Sequence, residues 1–178
     1  MIQKPLDQIE KVDIDALIAN QVREGKTIEY KESLPGGADA ERKEFLADVS
    51  SFANAAGGDI LFGVEEERDS GGKTTGLPAR APGLLGVNAD QVTRMLESVI
   101  RDGIAPRIPG VRVQPVAGFE QGPVLVIRVP KSWSAPHMIT FKDWCRFYSR
   151  NSAGKQLLAV DEIRSAFALS ESLGEWVR

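Results

Sequence analysis

The sequence predicts a single α+β domain, a mixed β-sheet flanked by helices. Three observations predict it. The chain has 178 residues, 42% hydrophobic and 26% charged, enough to bury roughly 70% of the unfolded surface in one core and too apolar for wholesale disorder. Periods of 3.6 and of 2 both occur, and short β-type runs crowd into the second half instead of alternating with helices, which excludes a regular doubly wound fold. No apolar run is long enough to cross a bilayer, and MIQKPLDQIEK has no apolar leader core, so the expected setting is the cytoplasm, away from membranes.

Taken in order, Asp13 reads as the N-cap of a short helix carrying Ile14, Leu17 and Ile18 at helical spacing. Arg23-Glu24-Gly25 ends it, and residues 27–31 alternate as a strand. Pro35-Gly36-Gly37 is a loop. Residues 40–55 form an amphipathic helix with Phe45, Val49, Phe52 and Ala53 on one face, stopped by Gly57-Gly58. Residues 59–64 are a buried-type strand. From Glu65 to Gly83 the chain is polar and rich in Gly, Pro and Ser, and a flexible loop is expected over about 66–86. Residues 88–101 give a second amphipathic helix through Val92, Met95, Leu96, Val99 and Ile100. Val111-Arg112-Val113 and residues 124–129 pair as a hairpin through Gly118–Gly122, and residues 138–141 and 146–149 are two more strands. A helix over 160–173 follows, and the core is expected to span about 13–170 of one domain, 1–178. Trp176-Val177-Arg178 carries no stop signal, which fits the N-terminal part of a longer protein.

A net charge of −3 and pI near 5.3 exclude a protein that coats nucleic acid by total charge alone. The distribution is uneven. Residues 1–70 carry 8 Lys/Arg against 16 Asp/Glu, and residues 71–155 carry 12 against 5. The lone Cys145 excludes an internal disulfide, and the lone His137 excludes a His-rich metal site and reads as structural. Gly71-Gly72-Lys73-Thr74 is not a phosphate loop, since Glu67 stands where that motif needs glycine.

In the acidic half, Glu29 and Lys31 share one strand face opposite Ile28 and Tyr30, and Glu24 lies five residues upstream of Glu29. Glu-x-Lys is the pattern a metal-dependent nuclease uses: the carboxylate binds a hard cation and the lysine stabilises phosphate charge or helps activate water. Glu65, Glu66 and Glu67 leave the end of the next strand, and one of them joins Glu29 and Glu24 if the two strands are neighbours. The candidate catalytic set is therefore Glu24, Glu29, Lys31 and Glu65, and the candidate ligands for Mg²⁺ or Mn²⁺ are Glu24, Glu29, Glu65 and Glu66. Spacing alone fits a surface ion pair and a polar loop equally well.

In the basic half, Arg128, Lys131, Lys142, Arg146, Arg150 and Lys155 stand against Asp143 alone, interleaved with Trp133, Phe141, Trp144, Phe147 and Tyr148. Cations neutralise phosphates, and aromatic faces stack unpaired bases for roughly 1–3 kcal/mol each. Phe141 and Phe147 read as core. Arg128, Arg146 and Arg150 are the leading phosphate contacts, with Trp133 and Trp144 as candidate stacking rings.

The run Glu24-Gly25-Lys26-Thr27-Ile28-Glu29-Tyr30-Lys31-Glu32-Ser33 resembles the opening signature of the Schlafen AlbA-type domain family. The similarity continues through Phe45-Leu46, Ser51-Phe52-Ala53-Asn54, Ala56-Gly57-Gly58 and residues 60–65, then residues 124–130, Ala135-Pro136-His137, residues 146–151 and Asp161-Glu162-Ile163-Arg164. The resemblance implies an AlbA-like α+β fold. Bacterial members are described as DNA-binding domains or, under an older label, divergent AAA ATPases. In vertebrate Schlafens two such lobes grip structured RNA, and a three-carboxylate site cleaves tRNA or rRNA. Two of those carboxylates match Glu24 and Glu29, and the third, an Asp in the family, falls at Glu65 or Glu66. The expected function is therefore binding of RNA or DNA through a basic, aromatic surface. The alternatives are a Mg²⁺- or Mn²⁺-dependent endoribonuclease, or an ATP-binding or regulatory dimerisation module. With one lobe per chain, a homodimer rebuilds a two-lobed groove.

Overall fold

The computed structural model describes residues 1–176, with side chains through Ser170; Val177 and Arg178, where the sequence carries no stop signal, lie outside the described residues. In chain order the elements are α1 (Lys11–Ala19), β1 (Ile28–Lys31), α2 (Asp39–Ala53), β2 (Gly58–Phe62), β3 (Glu65–Arg68), β4 (Thr74–Arg80), α3 (Ala89–Gly103), β5 (Ile104–Ala105), β6 (Arg112–Val116), β7 (Val124–Val129), β8 (Met138–Phe141), β9 (Trp144–Asn151), β10 (Gly154–Leu157) and α4 (Val160–Trp176). A four-stranded mixed sheet runs β1-β2-β7-β6, with β1 parallel to β2 and the other pairs antiparallel. A second, antiparallel sheet runs β10-β9-β8-β5. The fold is α+β, as the element order requires.

Strand alternation sorts the central sheet into two cores. Ile60, Phe62, Leu125, Ile127 and Val129 join Phe45, Val49 and Phe52 of α2 with Leu96 and Ile100 of α3. The opposite face gathers Ile28, Tyr30, Leu61, Val124 and Val126 with Leu6, Ile9 and Ile14 of the N-terminal segment. Because Ile28 and Tyr30 take that second face, Glu29 and Lys31 must point toward α2. They do so at the sheet edge, since β1 has only one neighbour. Helix α2 packs against β8, β9 and β10 as well as joining the first core, so nine consecutive residues, Phe45–Ala53, are buried.

Two expectations need correction. Asp13 does not cap α1. Glu10 does, and Asp13 lies in the first turn, accepting a hydrogen bond from the Glu10 backbone N–H as part of a capping box. The segment expected to be a flexible loop is a hairpin, β3 with β4. Its turn is closed by the Asp69 carboxylate, which accepts from the N–H groups of Gly71 (2.8 Å) and Lys73 (3.0 Å), and by Gly72 at φ +79°. Its pairing rests on backbone hydrogen bonds, so the polar composition gave no sign of it. The short strands β5 and β10 were also not expected. The hairpin of β6 and β7, the strands β8 and β9 and the Asn88-capped α3 follow the sequence pattern. Among the described residues no helix is long and apolar enough to cross a membrane.

Candidate functional site

Two separate constellations emerge. The first is a charged cluster where the edge of β1 meets α2 and the β9–β10 hairpin. Lys31 Nζ donates to Glu29 Oε1 (2.7 Å) and lies 3.3 Å from Asp48 Oδ2. Arg150 and Lys155 are cross-strand partners in the β9–β10 register and both reach Asp48. Arg150 also bonds Glu29 Oε2 and the Gly25 carbonyl (3.0 Å), and its guanidinium lies 4.1 Å from the centre of the Phe52 ring. Lys155 bridges Asp48 (2.9 Å) and Glu44 (2.5 Å). Glu24, Glu29, Glu44, Asp48, Arg150 and Lys155 line a cavity of about 350 Å³.

The electrostatics follow from burial and pairing. Burial, reinforced by the Glu29 charge, pushes Glu24 up to about 7, although its carboxylate accepts from the Tyr30 backbone N–H. Burial also opposes ionisation of Glu29, but Lys31 and Arg150 outweigh it and hold that carboxyl below its ordinary range. Burial raises Asp48, and the nearby Glu29 adds to the effect. Lys31 loses charge stability to burial but regains more from Asp48 and Glu29, so it holds its proton more tightly than a free lysine.

Glu65 and Glu66 part company, as successive strand residues must. Glu65 pairs with Arg80 through two contacts of 2.7 Å, away from the cluster. Glu66 accepts from Gly76 N–H (3.0 Å), and the Gly76 carbonyl accepts from Glu24 N–H, which brings Glu66 toward Glu24. The expected ligand set does not fit a divalent cation in this arrangement. Both Glu29 oxygens are already bonded to side-chain cations, and among the described residues no three His, Cys, Asp or Glu side chains form a group able to hold a metal.

The second set, aromatic and basic, falls in two pairings, one at Trp144 and one at Trp133. Trp144 opens β9 with Lys43 Nζ 5.0 Å from the ring centre and the Arg146 guanidinium 4.9 Å from it. Trp133 is 70% exposed, with Lys131 Nζ 5.0 Å from its ring centre. Its loop is held by Ser132 N–H donating to the Ala53 carbonyl and by a Ser132–Ser134 hydroxyl contact of 3.1 Å. Lys142 pairs with Asp39 in the exposed β8–β9 turn.

Two of the leading phosphate contacts expected from sequence are internal instead. Arg128 faces Asp59 across the β2–β7 register, bonding it at 2.8 and 3.0 Å and donating to the carbonyls of Ile2 and Lys4. Arg150 is buried in the cluster. Arg146 stays exposed. His137 is structural, as expected: its ring Nδ1 donates to the Pro106 carbonyl, and Asn54 bonds its backbone N–H and carbonyl. Sequence reading missed Asp48, Glu44, Lys43 and Phe52 as members of these sites. For Asp48 a signal existed, an acid among the apolar positions Phe45, Val49 and Phe52 of one helix.

A family profile described as Schlafen, AlbA_2 matches residues 24–159. Among solved structures, one similar chain is the N-terminal domain, solved by solution NMR, of a Nitrosomonas europaea protein named for its relation to the ATP-dependent DNA helicase RecG. It is 27% identical, with 66% of this chain and 70% of that one covered and a TM-score of 0.48. Another is the DIP2311 protein from Corynebacterium diphtheriae, 15% identical, with 82% of this chain and 29% of that one covered and a TM-score of 0.47. No curated protein matches the chain.

Proposed function

The chain belongs to the Schlafen AlbA_2 family, and on that premise we propose that it binds RNA or DNA through Trp133, Trp144 and the cations beside them. The observation that carries this reading is Trp144 flanked by Lys43 and Arg146, two side chains that reach solvent with their charge next to an aromatic face. Such a grouping offers phosphate neutralisation and base stacking together. The charged cluster adds little to phosphate attraction, because its cations are committed to Glu29, Asp48 and Glu44.

Fluorescence anisotropy with labelled single- and double-stranded RNA and DNA tests this. Affinity is expected to fall steeply between about 50 and 200 mM salt, and Arg146→Ala and Trp144→Ala are each expected to weaken binding about tenfold, on the order of 1–3 kcal/mol per contact. Binding to none of the four probes, or binding indifferent to salt, sinks the reading. Metal-dependent RNA cleavage stands second, because Lys31 and Arg150 already occupy Glu29. Gel analysis of the same mixtures with Mn²⁺ or Mg²⁺ reads it directly. A homodimer would set two such faces side by side, and sedimentation with and without nucleic acid reports it.

A further inference from the structure

We infer that Arg150, with Lys31 and Lys155, is the resident counter-ion of the Glu29–Asp48 cluster and holds the place a divalent cation would need. Three carboxylates, Glu29, Asp48 and Glu44, face three side-chain cations, so the cluster is neutralised from within the chain. A hard cation takes most of its six or more oxygen ligands from carboxylates, carbonyls and water. Here Glu29 would have to release Lys31 and Arg150, and Asp48 would have to release Lys155.

Arg150 has no alternative place to go. Its side chain is 2% exposed, its Nε is bonded to the Gly25 carbonyl, its guanidinium lies over Phe52, and its backbone is locked opposite Lys155. The fit is incomplete: Arg150 Nη1 and Asp48 Oδ2 are buried without a hydrogen-bond partner. That carboxylate oxygen, whose near neighbour is Lys31 Nζ at 3.3 Å, is what an incoming cation would use once the guanidinium is gone and Lys31 gives way. Without it, Glu24, Glu29 and Asp48 line one cavity with negative charge in excess.

Titration of the purified chain with Mn²⁺ alone, followed by calorimetry and thermal melting, tests this. The unaltered protein is expected to give no saturable heat and the same Tm in Mn²⁺ as in EDTA. Arg150→Ala is expected to bind Mn²⁺ at least about tenfold more tightly than the unaltered protein and to melt higher with it, a gain removed by adding Glu29→Gln. Saturable Mn²⁺ binding by the unaltered protein that Glu29→Gln abolishes overturns the inference, as does a folded Arg150→Ala that gains no affinity. If Arg150→Ala does not fold, the NMR signal of the Arg150 Nε–H in the unaltered protein decides. It should stay sharp as paramagnetic Mn²⁺ is added, and selective broadening overturns the proposal.

Discussion

Replacing Arg128 by Ala separates a structural arginine from a nucleic-acid contact. Asp59 is fully buried and the Arg128 side chain is 17% exposed, and the two share contacts of 2.8 and 3.0 Å. Removing one partner of a buried pair costs about 3–5 kcal/mol, because the remaining charge is left uncompensated. Asp59 keeps one bond from Ile2 N–H (2.6 Å), and Arg128 is not sealed from water, so the low end, about 3 kcal/mol, is the reasoned figure. Arg128 also holds the Ile2 and Lys4 carbonyls, so the N-terminal segment should loosen with it. Urea denaturation followed by circular dichroism reads the loss, and Tm should drop by about 6–12 °C, at roughly 2–4 °C per kcal/mol for a chain of this size. Anisotropy measured well below the transition should show nearly unchanged affinity. Full stability of Arg128→Ala together with lost nucleic-acid binding would make Arg128 a ligand contact and refute its structural role.

Three further outcomes follow from the same geometry. Glu24 sits at about 7 when folded against 4.5 as its ordinary value, so between those pH values the folded state holds a proton the unfolded state has released. Stability from this group is therefore present below about 4.5 and declines as pH rises to about 7, by on the order of 2 kcal/mol after allowing for its partial exposure. Glu24→Gln keeps the oxygen that accepts from Tyr30, so denaturation curves across that window should be flatter for the variant, and equal slopes would refute the assignment. Asn54→Ala strips partners from the His137 N–H and carbonyl and from the Tyr148 carbonyl, and should cost about 2–3 kcal/mol in urea denaturation with Cm shifted and m unchanged. Glu65→Ala breaks only its exposed pair with Arg80, so neither Tm nor nucleic-acid affinity should move measurably.

Local patterning was legible where one residue's environment depends on its near neighbours. Alternation through Ile28, Glu29, Tyr30 and Lys31 gave the face each side chain takes, and the apolar positions of α2 and α3 gave their cores. The β3–β4 hairpin was not legible, because a polar ribbon held by its backbone and the Asp69 turn leaves no hydrophobic period. By spacing, Glu65 and Glu66 are equivalent candidates for the third carboxylate. The pleat of β3 separated them, sending one to Arg80 and the other toward Gly76 and Glu24.

The sequence by itself determined the fold class, the family signature and the existence of an acidic and a basic region, since these reside in composition, period and short spacings. Only the tertiary structure decided which charges are free to meet a ligand. Arg128, Arg146 and Arg150 look alike in the chain. One meets Asp59 across a strand register, one remains at the surface beside Trp144, and one is buried against Glu29 and Asp48. The physical reason is distance along the chain: Arg128 and Asp59 are 69 residues apart, and Arg150 and Glu29 are 121 apart. No local pattern encodes an ion pair that forms only when two distant strands find their register.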